Sequence, residues 1–272
     1  MRVGLIGVGR MGLPMCANLV RAGYDVTAGD VREELQAAVI ARGARWGGPG
    51  PAVAAVADVL ITMLPGGPEL RELMLAPAGV LPALPSTATW IDMTSTSPAI
   101  GRELASAARD RGIAMLEAPV GGGVQAAAAG SLHLFAGGDA ELLERHRPVL
   151  EALADPGRIV RMGGHGAGYT TKHLVNLLWF GQAIATAEAL LLARREGIDR
   201  RGPARRRAVR AVRACRTDLP AGPGPLRPGR RRAPARGDAR GASRSPATPS
   251  ELTGLTFVPA GASTWYKQMV RR

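Results

Sequence analysis

Gly7, Gly9 and Gly12 fall in G-x-G-x-x-G spacing between a short apolar run, Val3, Leu5 and Ile6, and a helical pattern from Leu13 to Arg21 that stops at Gly23. This is the order of strand, tight turn and helix that a dinucleotide fingerprint requires. The first glycine serves the turn, the second lets backbone approach a pyrophosphate, and the third lets helix and strand pack closely. The pyrophosphate then sits at a helix N-terminus, where unpaired N–H groups and the helix dipole favour negative charge. Asp30 stands 18 positions after Gly12. A carboxylate there accepts hydrogen bonds from the adenosine ribose hydroxyls and repels a 2′-phosphate, which favours NAD over NADP. Arg32 offers a guanidinium that could pair with that phosphate, so NADP is not excluded. The other reading of Asp30 is a helix N-cap ahead of Glu33 and Glu34.

A second set is proton chemistry. Lys172 is the only lysine in residues 1–199, a segment that otherwise uses arginine for positive charge. Arginine cannot give up its proton at useful pH, whereas a desolvated lysine can. Asn176 lies four residues on, on the same face of a helix and one turn away. The competing reading of Lys172 is a solvated surface lysine. Gly121, Gly122 and Gly123 follow an apolar strand pattern and would present backbone N–H groups to an anion, unless they form a plain turn. Thr94 and Ser95 stand before a helical pattern and are either site residues or helix caps. The four histidines, His133, His146, His165 and His173, show no metal spacing and are read as structural; with two cysteines no zinc site is expected. No Ser-His-Asp motif is present.

The elements that must position these residues alternate. Asp25 to Asp30 reads as a second strand, Glu33 to Ala41 as a helix, and Asp58 to Leu64 as a buried parallel strand opening into the loop Pro65-Gly66-Gly67. A helix at Pro68 to Leu75, a strand at Thr89 to Asp92, a helix at Ser97 to Arg109 and a strand at Ile113 to Leu116 follow. Leu132 to Ala136 and Arg158 to Arg161 read as strands around a helix from Ala140 to Leu153. This is a Rossmann-like, doubly wound α/β fold over 1–164. From 165 to 199, Leu174, Leu177, Leu178, Gly181, Ile184, Ala185 and Leu192 recur at helical spacing without a proline, which predicts a long helix that founds a second, helical domain.

The net charge of +13 is unevenly held: residues 1–199 carry 17 Lys+Arg against 19 Asp+Glu, and residues 200–272 carry 18 against 3. The basicity belongs to one segment and does not describe the α/β part. No apolar stretch approaches the roughly 18 residues of a membrane span, and a strand beginning at residue 2 leaves no room for a signal peptide, so a cytoplasmic location is expected. Cys16 lies in the fingerprint helix, far from Cys215 in sequence, and is read as a buried thiol.

Five separated motifs resemble the β-hydroxyacid dehydrogenase family: Gly7-Val-Gly-Arg-Met-Gly-Leu-Pro-Met-Cys-Ala-Asn18, Ile61-Thr-Met-Leu-Pro65, Ile91-Asp-Met-Thr-Ser-Thr-Ser-Pro98, Glu117-Ala-Pro-Val-Gly-Gly-Gly123 and Gly166-Ala-Gly-Tyr-Thr-Thr-Lys-His-Leu-Val-Asn176. The resemblance covers Arg2 to about Asp199. It implies an N-terminal Rossmann-like domain, a C-terminal all-helical domain, and oxidation of a small β-hydroxyacid such as 3-hydroxyisobutyrate with NAD or NADP. It further implies that Gly7, Val8, Gly9, Arg10, Met11, Gly12, Asp30, Arg32, Met63, Leu64, Pro65, Thr94 and Ser95 hold the nucleotide. By the same resemblance Lys172 is the acid/base, Asn176 helps hold substrate, and Gly121, Gly122, Gly123 and Thr94 bind the substrate, with Gly121 standing where the usual pattern carries serine. A homodimer or tetramer is implied as well. Imine reductases share the fold and fingerprint but commonly replace the lysine. A non-catalytic nucleotide-binding module with a basic nucleic-acid-binding tail is the reading from another class.

The resemblance stops near residue 200. Of the 73 residues in 200–272, 46 are Arg, Ala, Pro or Gly, a composition poor in apolar anchors and interrupted by helix breakers. An all-helical domain is expected to be incomplete or aberrant there and the tail largely disordered. The reading preferred is a shifted frame near residue 200 in a GC-rich gene, over a native nucleic-acid arm, and activity would then be weak. Family-like helical sequence with a Lys-Asp pair in another frame past the Asp199 codon is the expected result of sequencing the gene.

Overall fold

Strand residues here alternate between two buried layers, and that alternation sets the architecture. In the computed structural model, which describes residues 1–195, Leu5, Ile61, Ile91 and Leu116 pack on one face of a sheet. Their neighbours Ile6, Leu60, Trp90 and Met115 pack on the other. A period of two with both faces apolar is what a parallel sheet covered by helices on each side demands. The strands are β1 (Arg2–Ile6), β2 (Asp25–Gly29), β3 (Arg45–Trp46), β4 (Val59–Thr62), β5 (Thr89–Asp92), β6 (Ala114–Glu117), β7 (Val120–Gly121), β8 (Leu132–Gly137) and β9 (Ala154–Gly163). They run in the order β3-β2-β1-β4-β5-β6-β8-β7, with β9 also on β8. From β3 through β6 all pairs are parallel; β8 runs antiparallel to β6 and β7, and β9 parallel to β8.

The helices are α1 (Gly12–Arg21), α2 (Gln36–Ile40), α3 (Gly50–Ala54), α4 (Gly67–Leu75), α5 (Val80–Ala83), α6 (Pro98–Asp110), α7 (Gly123–Ala129), α8 (Ala140–Glu151) and α9 (Ala167–Arg195). The doubly wound α/β fold read from the sequence is the fold found. Several local expectations differ. The helix read at Glu33 to Ala41 is a 3-10 turn, Glu33–Leu35, followed by the short α2. The two-residue strands β3 and β7 and helices α3, α5 and α7 were not anticipated; each is too short to carry a readable period.

Contacts divide the chain into two units, Met1–Ala183 and Ile184–Arg272. The sheet and the first half of α9 belong to the first. On α9, Leu174 and Leu178 are exposed although the sequence pattern placed them on the apolar face. The expectations for residues 200–272 lie outside the described residues.

Candidate functional site

The turn between β1 and α1 is built by steric necessity. Gly7 has φ +93°, in the left-handed region, and a Cβ there would overlap the Met63 carbonyl. A Cβ on Gly12 would overlap the Gly7 carbonyl oxygen, so this helix can approach its strand only with glycine at that position. At Gly9 an added Cβ would meet only the Arg32 guanidinium, at 3.2 Å. No side chain caps the start of α1. The glycine turn therefore opens onto a cleft of about 790 Å³, lined by Gly7, Gly9, Arg10, Met11, Gly12, Asp30, Arg32, Met63, Leu64 and Pro65.

Val8 does not line the cleft. Its side chain is buried, and its backbone N–H donates to Asp30 Oδ2 at 3.0 Å. Asp30 follows β2 directly and is no helix cap: it accepts from the Arg32 N–H at 3.1 Å and forms a two-pronged pair with the Arg32 guanidinium, at 3.0 and 3.1 Å. Burial works to raise the Asp30 carboxyl, but Arg32 and the two backbone N–H groups outweigh it and hold it below the ordinary carboxylate range. The far wall of the cleft comes from residues the sequence reading did not single out, among them Pro51, Glu69, Glu72, Leu73 and Gly79. They come from α3, α4 and the loop before α5, and nothing in their local pattern marks them.

Thr94 and Ser95 lie past the end of β5, beside the cleft's Met63–Pro65 wall. Thr94 is buried, its hydroxyl accepts from the Leu64 N–H at 3.1 Å, and its own N–H donates to Asp92 Oδ1 at 3.1 Å. Ser95 is half-buried. Neither caps α6, whose N-cap is Ser97, with its hydroxyl accepting from the Ile100 N–H at 3.2 Å.

The glycine triplet closes β7 and opens α7. Gly121 pairs with His133 across β7 and β8, and an added Cβ at Gly121 would find His133 at 3.4 Å and Phe135 at 3.5 Å, ordinary contact distances. Gly122 and Gly123 have φ of +104° and +70°, so the turn itself requires glycine at both. His133 contacts the Arg158 guanidinium through Nε2. Burial, then Arg158 and Lys172, lower its pKa against the pull of Asp155. The root of α9 reaches this hairpin through Gly168, which packs against the Phe135 carbonyl of β8.

Lys172 and Asn176 are both half-buried, on one face of α9. Burial lowers the Lys172 pKa, the direction a proton-transferring amine needs. Three further buried polar groups stand at this edge without having been singled out: Asp92 and Glu117, fully buried at the ends of β5 and β6, and Tyr169, whose hydroxyl donates to Asp92 Oδ2 at 2.7 Å. The signal was available: a carboxylate that ends an apolar strand at the edge where open α/β sheets place their ligands. Cys16 is buried, and burial pushes its thiol up to about 11, so it is an inert packing group. Among the described residues no group of three or more His, Cys, Asp or Glu could hold a metal.

A glycine turn at the carboxyl edge of a parallel sheet, an acidic residue past the second strand and an open cleft between them define a dinucleotide-binding protein of Rossmann type. Residues 2–164 match the family described as the NAD binding domain of 6-phosphogluconate dehydrogenase. The chain is 37% identical over 198 residues to the NAD-dependent L-serine dehydrogenase of Pseudomonas aeruginosa, covering 73% of this chain and 66% of that protein. The solved structure of Mycobacterium tuberculosis 3-hydroxyisobutyrate dehydrogenase with L-serine superposes with a TM-score of 0.68 at 39% identity, over 73% of this chain and 67% of that one. An imine reductase from Myxococcus stipitatus in complex with NADP+ shares the fold, with a TM-score of 0.69 at 22% identity over 80% of this chain and 73% of that one. The chain belongs to the β-hydroxyacid dehydrogenase family, and it spans 66% of the length of the Pseudomonas relative.

Proposed function

We propose that this chain binds NAD in the cleft beside Gly7–Gly12 and transfers hydride between it and a small β-hydroxyacid such as 3-hydroxyisobutyrate or serine. The observation that carries this is the seat of Lys172: it stands one helical turn after Gly168, which packs against the Phe135 carbonyl of β8, and β8 pairs with the β7 strand that runs into the glycine triplet. Burial also lowers its pKa. NAD supplies the hydride acceptor when bound. Gly9 leaves room for a pyrophosphate because its Cβ position is nearly open, and Asp30, which lines the same cleft, would accept from the adenosine ribose hydroxyls. The backbone N–H groups of Gly121–Gly123 would hold the substrate carboxylate, and Asn176 its hydroxyl end. Lys172 takes the hydroxyl proton as the carbinol carbon loses hydride, and returns it in the reverse direction. A nicotinamide titration followed by a panel of β-hydroxyacids tests the reading: reduction of NAD by at least one of them is expected, and binding without turnover on any would leave a nucleotide-binding module only. A homodimer or tetramer, a cytoplasmic location and the absence of a nucleic-acid partner go with this reading. Among the described residues no helix is long and apolar enough to cross a membrane.

NAD is expected to bind more tightly than NADP. Asp30 supplies the repulsion of a 2′-phosphate, but its pair with Arg32 blunts it. Arg32→Ala should therefore widen the NAD preference by about tenfold, the worth of one charge-assisted hydrogen bond of ~1.4 kcal/mol. Dissociation constants for both nucleotides check this; equal or tighter NADP binding in the wild type would show that Arg32 dominates the site.

A further inference from the structure

The first turn of α9 is fastened to the sheet by buried polar groups that the dehydrogenase reading leaves unused. Asp92 and Glu117 are register partners at the ends of adjacent parallel strands. Glu117 Oε1 accepts from the Gly166 N–H at 2.5 Å and the Gly168 N–H at 3.4 Å, so the carboxyl stands where a helix start leaves donors unpaired. Its other oxygen, Oε2, is buried without a hydrogen-bond partner. Tyr169, 1% exposed, donates its hydroxyl to Asp92 Oδ2, while Asp92 Oδ1 accepts from the Thr62 hydroxyl at 2.6 Å. Trp90 Nε1 donates to the same Thr62 hydroxyl at 2.9 Å, which continues the network into the core.

Three glycines show how close this joint is. A Cβ at Gly137 would overlap the Glu117 carboxyl, one at Gly101 the Tyr169 ring, and one at Gly168 the Phe135 carbonyl. The helix therefore has one seat. Lys172 follows Tyr169 by three residues and Gly168 by four, so it lies directly above both fastened positions on the helix surface. A rotation or lift of the first turn would move the amine with it.

We propose that Glu117, Asp92 and Tyr169 are positioning residues for Lys172: by capping and pinning the root of α9 they fix where its amine stands and how far it is withdrawn from water. The proposal rests on the reading of Lys172 as the acid/base. Burial raises both carboxyls, Asp92 to about 6 and Glu117 to about 7. The neutral acid is therefore a form that this joint accommodates near neutral pH, and glutamine keeps the oxygen that accepts from Gly166 and Gly168 while placing its NH2 where Oε2 has no partner.

The test reads the amine itself, without turnover. Lys172 and Lys267 are the only lysines in the chain, so an amine-acylating reagent followed by peptide mass mapping reports Lys172 separately at each pH. In Tyr169→Phe and Glu117→Ala the labelling midpoint of Lys172 should move up toward that of a free lysine, while NAD affinity stays within about twofold. Glu117→Gln, whose amide oxygen can still accept from Gly166 and Gly168, should keep the wild-type midpoint. If a β-hydroxyacid is turned over, kcat in the first two variants should fall about a hundredfold with little change in KM, the scale of a small misplacement of a reacting group. Should Glu117→Ala fail to fold, Tyr169→Phe decides alone. An unchanged midpoint in folded Tyr169→Phe, or a shift in Glu117→Gln as large as in Glu117→Ala, would overturn the proposal. A midpoint shift in a protein that oxidises no β-hydroxyacid would leave the positioning intact and sink only the dehydrogenase reading.

Discussion

Lys172→Ala is expected to lower turnover of the best β-hydroxyacid by about 10²–10⁴-fold, the usual worth of a positioned general acid or base, with NAD affinity within about twofold of wild type. The nucleotide cleft is lined from the β1–α1 turn, from residues 30–32 and 63–65 and from the wall opposite, and Lys172 is not among its lining residues. Removing the amine therefore takes away proton transfer and not binding of the cofactor. Lys172→Arg sharpens the test. Arginine keeps the positive charge on this face of α9 but does not release a proton at working pH, so it should be nearly as inactive as alanine. Stopped-flow measurement of NADH formation, alongside NAD binding by calorimetry, separates the outcomes. Near wild-type turnover in Lys172→Arg would mean that the residue serves as a charge for the substrate carboxylate and that another group moves the proton.

Much of this site could be read in the sequence because its parts depend on local chemistry. Gly7 and Gly12 are glycine for reasons that act over a few residues, a left-handed φ and a helix packed on its own strand, and such reasons leave fixed spacings. Lys172 stood out by residue type, in a segment that uses arginine elsewhere, together with its place in the Gly166–Asn176 motif. What could not be read depends on which distant segments meet. Glu69, Glu72 and Pro51 reach the cleft only through the packing of α3 and α4, and their own surroundings look like any solvated helix. Asp92 and Glu117 end apolar strands that were recognised as strands, yet their value comes from Tyr169 and Gly166, 77 and 49 residues away. Leu174 and Leu178 failed in the opposite sense: helical spacing showed that the residues share a face, but not that anything covers it.

The melting temperature of Glu117→Gln, relative to wild type, should rise between pH 5 and pH 8, on top of a constant offset from the amide N–H groups that replace the unpartnered Oε2. In the unfolded chain the Glu117 carboxyl has its ordinary value of 4.5, and in the folded protein burial, reinforced by the charge of Asp92, pushes it up to about 7 against the pull of the Gly166, Gly168 and Tyr169 N–H groups. Between those values the folded state holds a proton that the unfolded state has released. The stability this contributes is complete below about 4.5 and is lost as pH rises through about 7. A rise of roughly 2.5 units at ~1.4 kcal/mol each sets an upper limit of roughly 3–4 kcal/mol, and glutamine, which does not ionise, escapes the loss. For a protein of this size that corresponds to on the order of 10 °C. The histidines, whose lowered values give the opposite slope, are present in both proteins and cancel, so the difference between the two melting curves reports residue 117 together with its mutual repulsion with Asp92. Thermal unfolding of both proteins at half-unit steps from pH 5 to pH 8 gives that difference directly. A gap that stays constant across the range would show that Glu117 is ionised in the folded protein throughout, and that the cap on α9 is a carboxylate rather than a neutral acid.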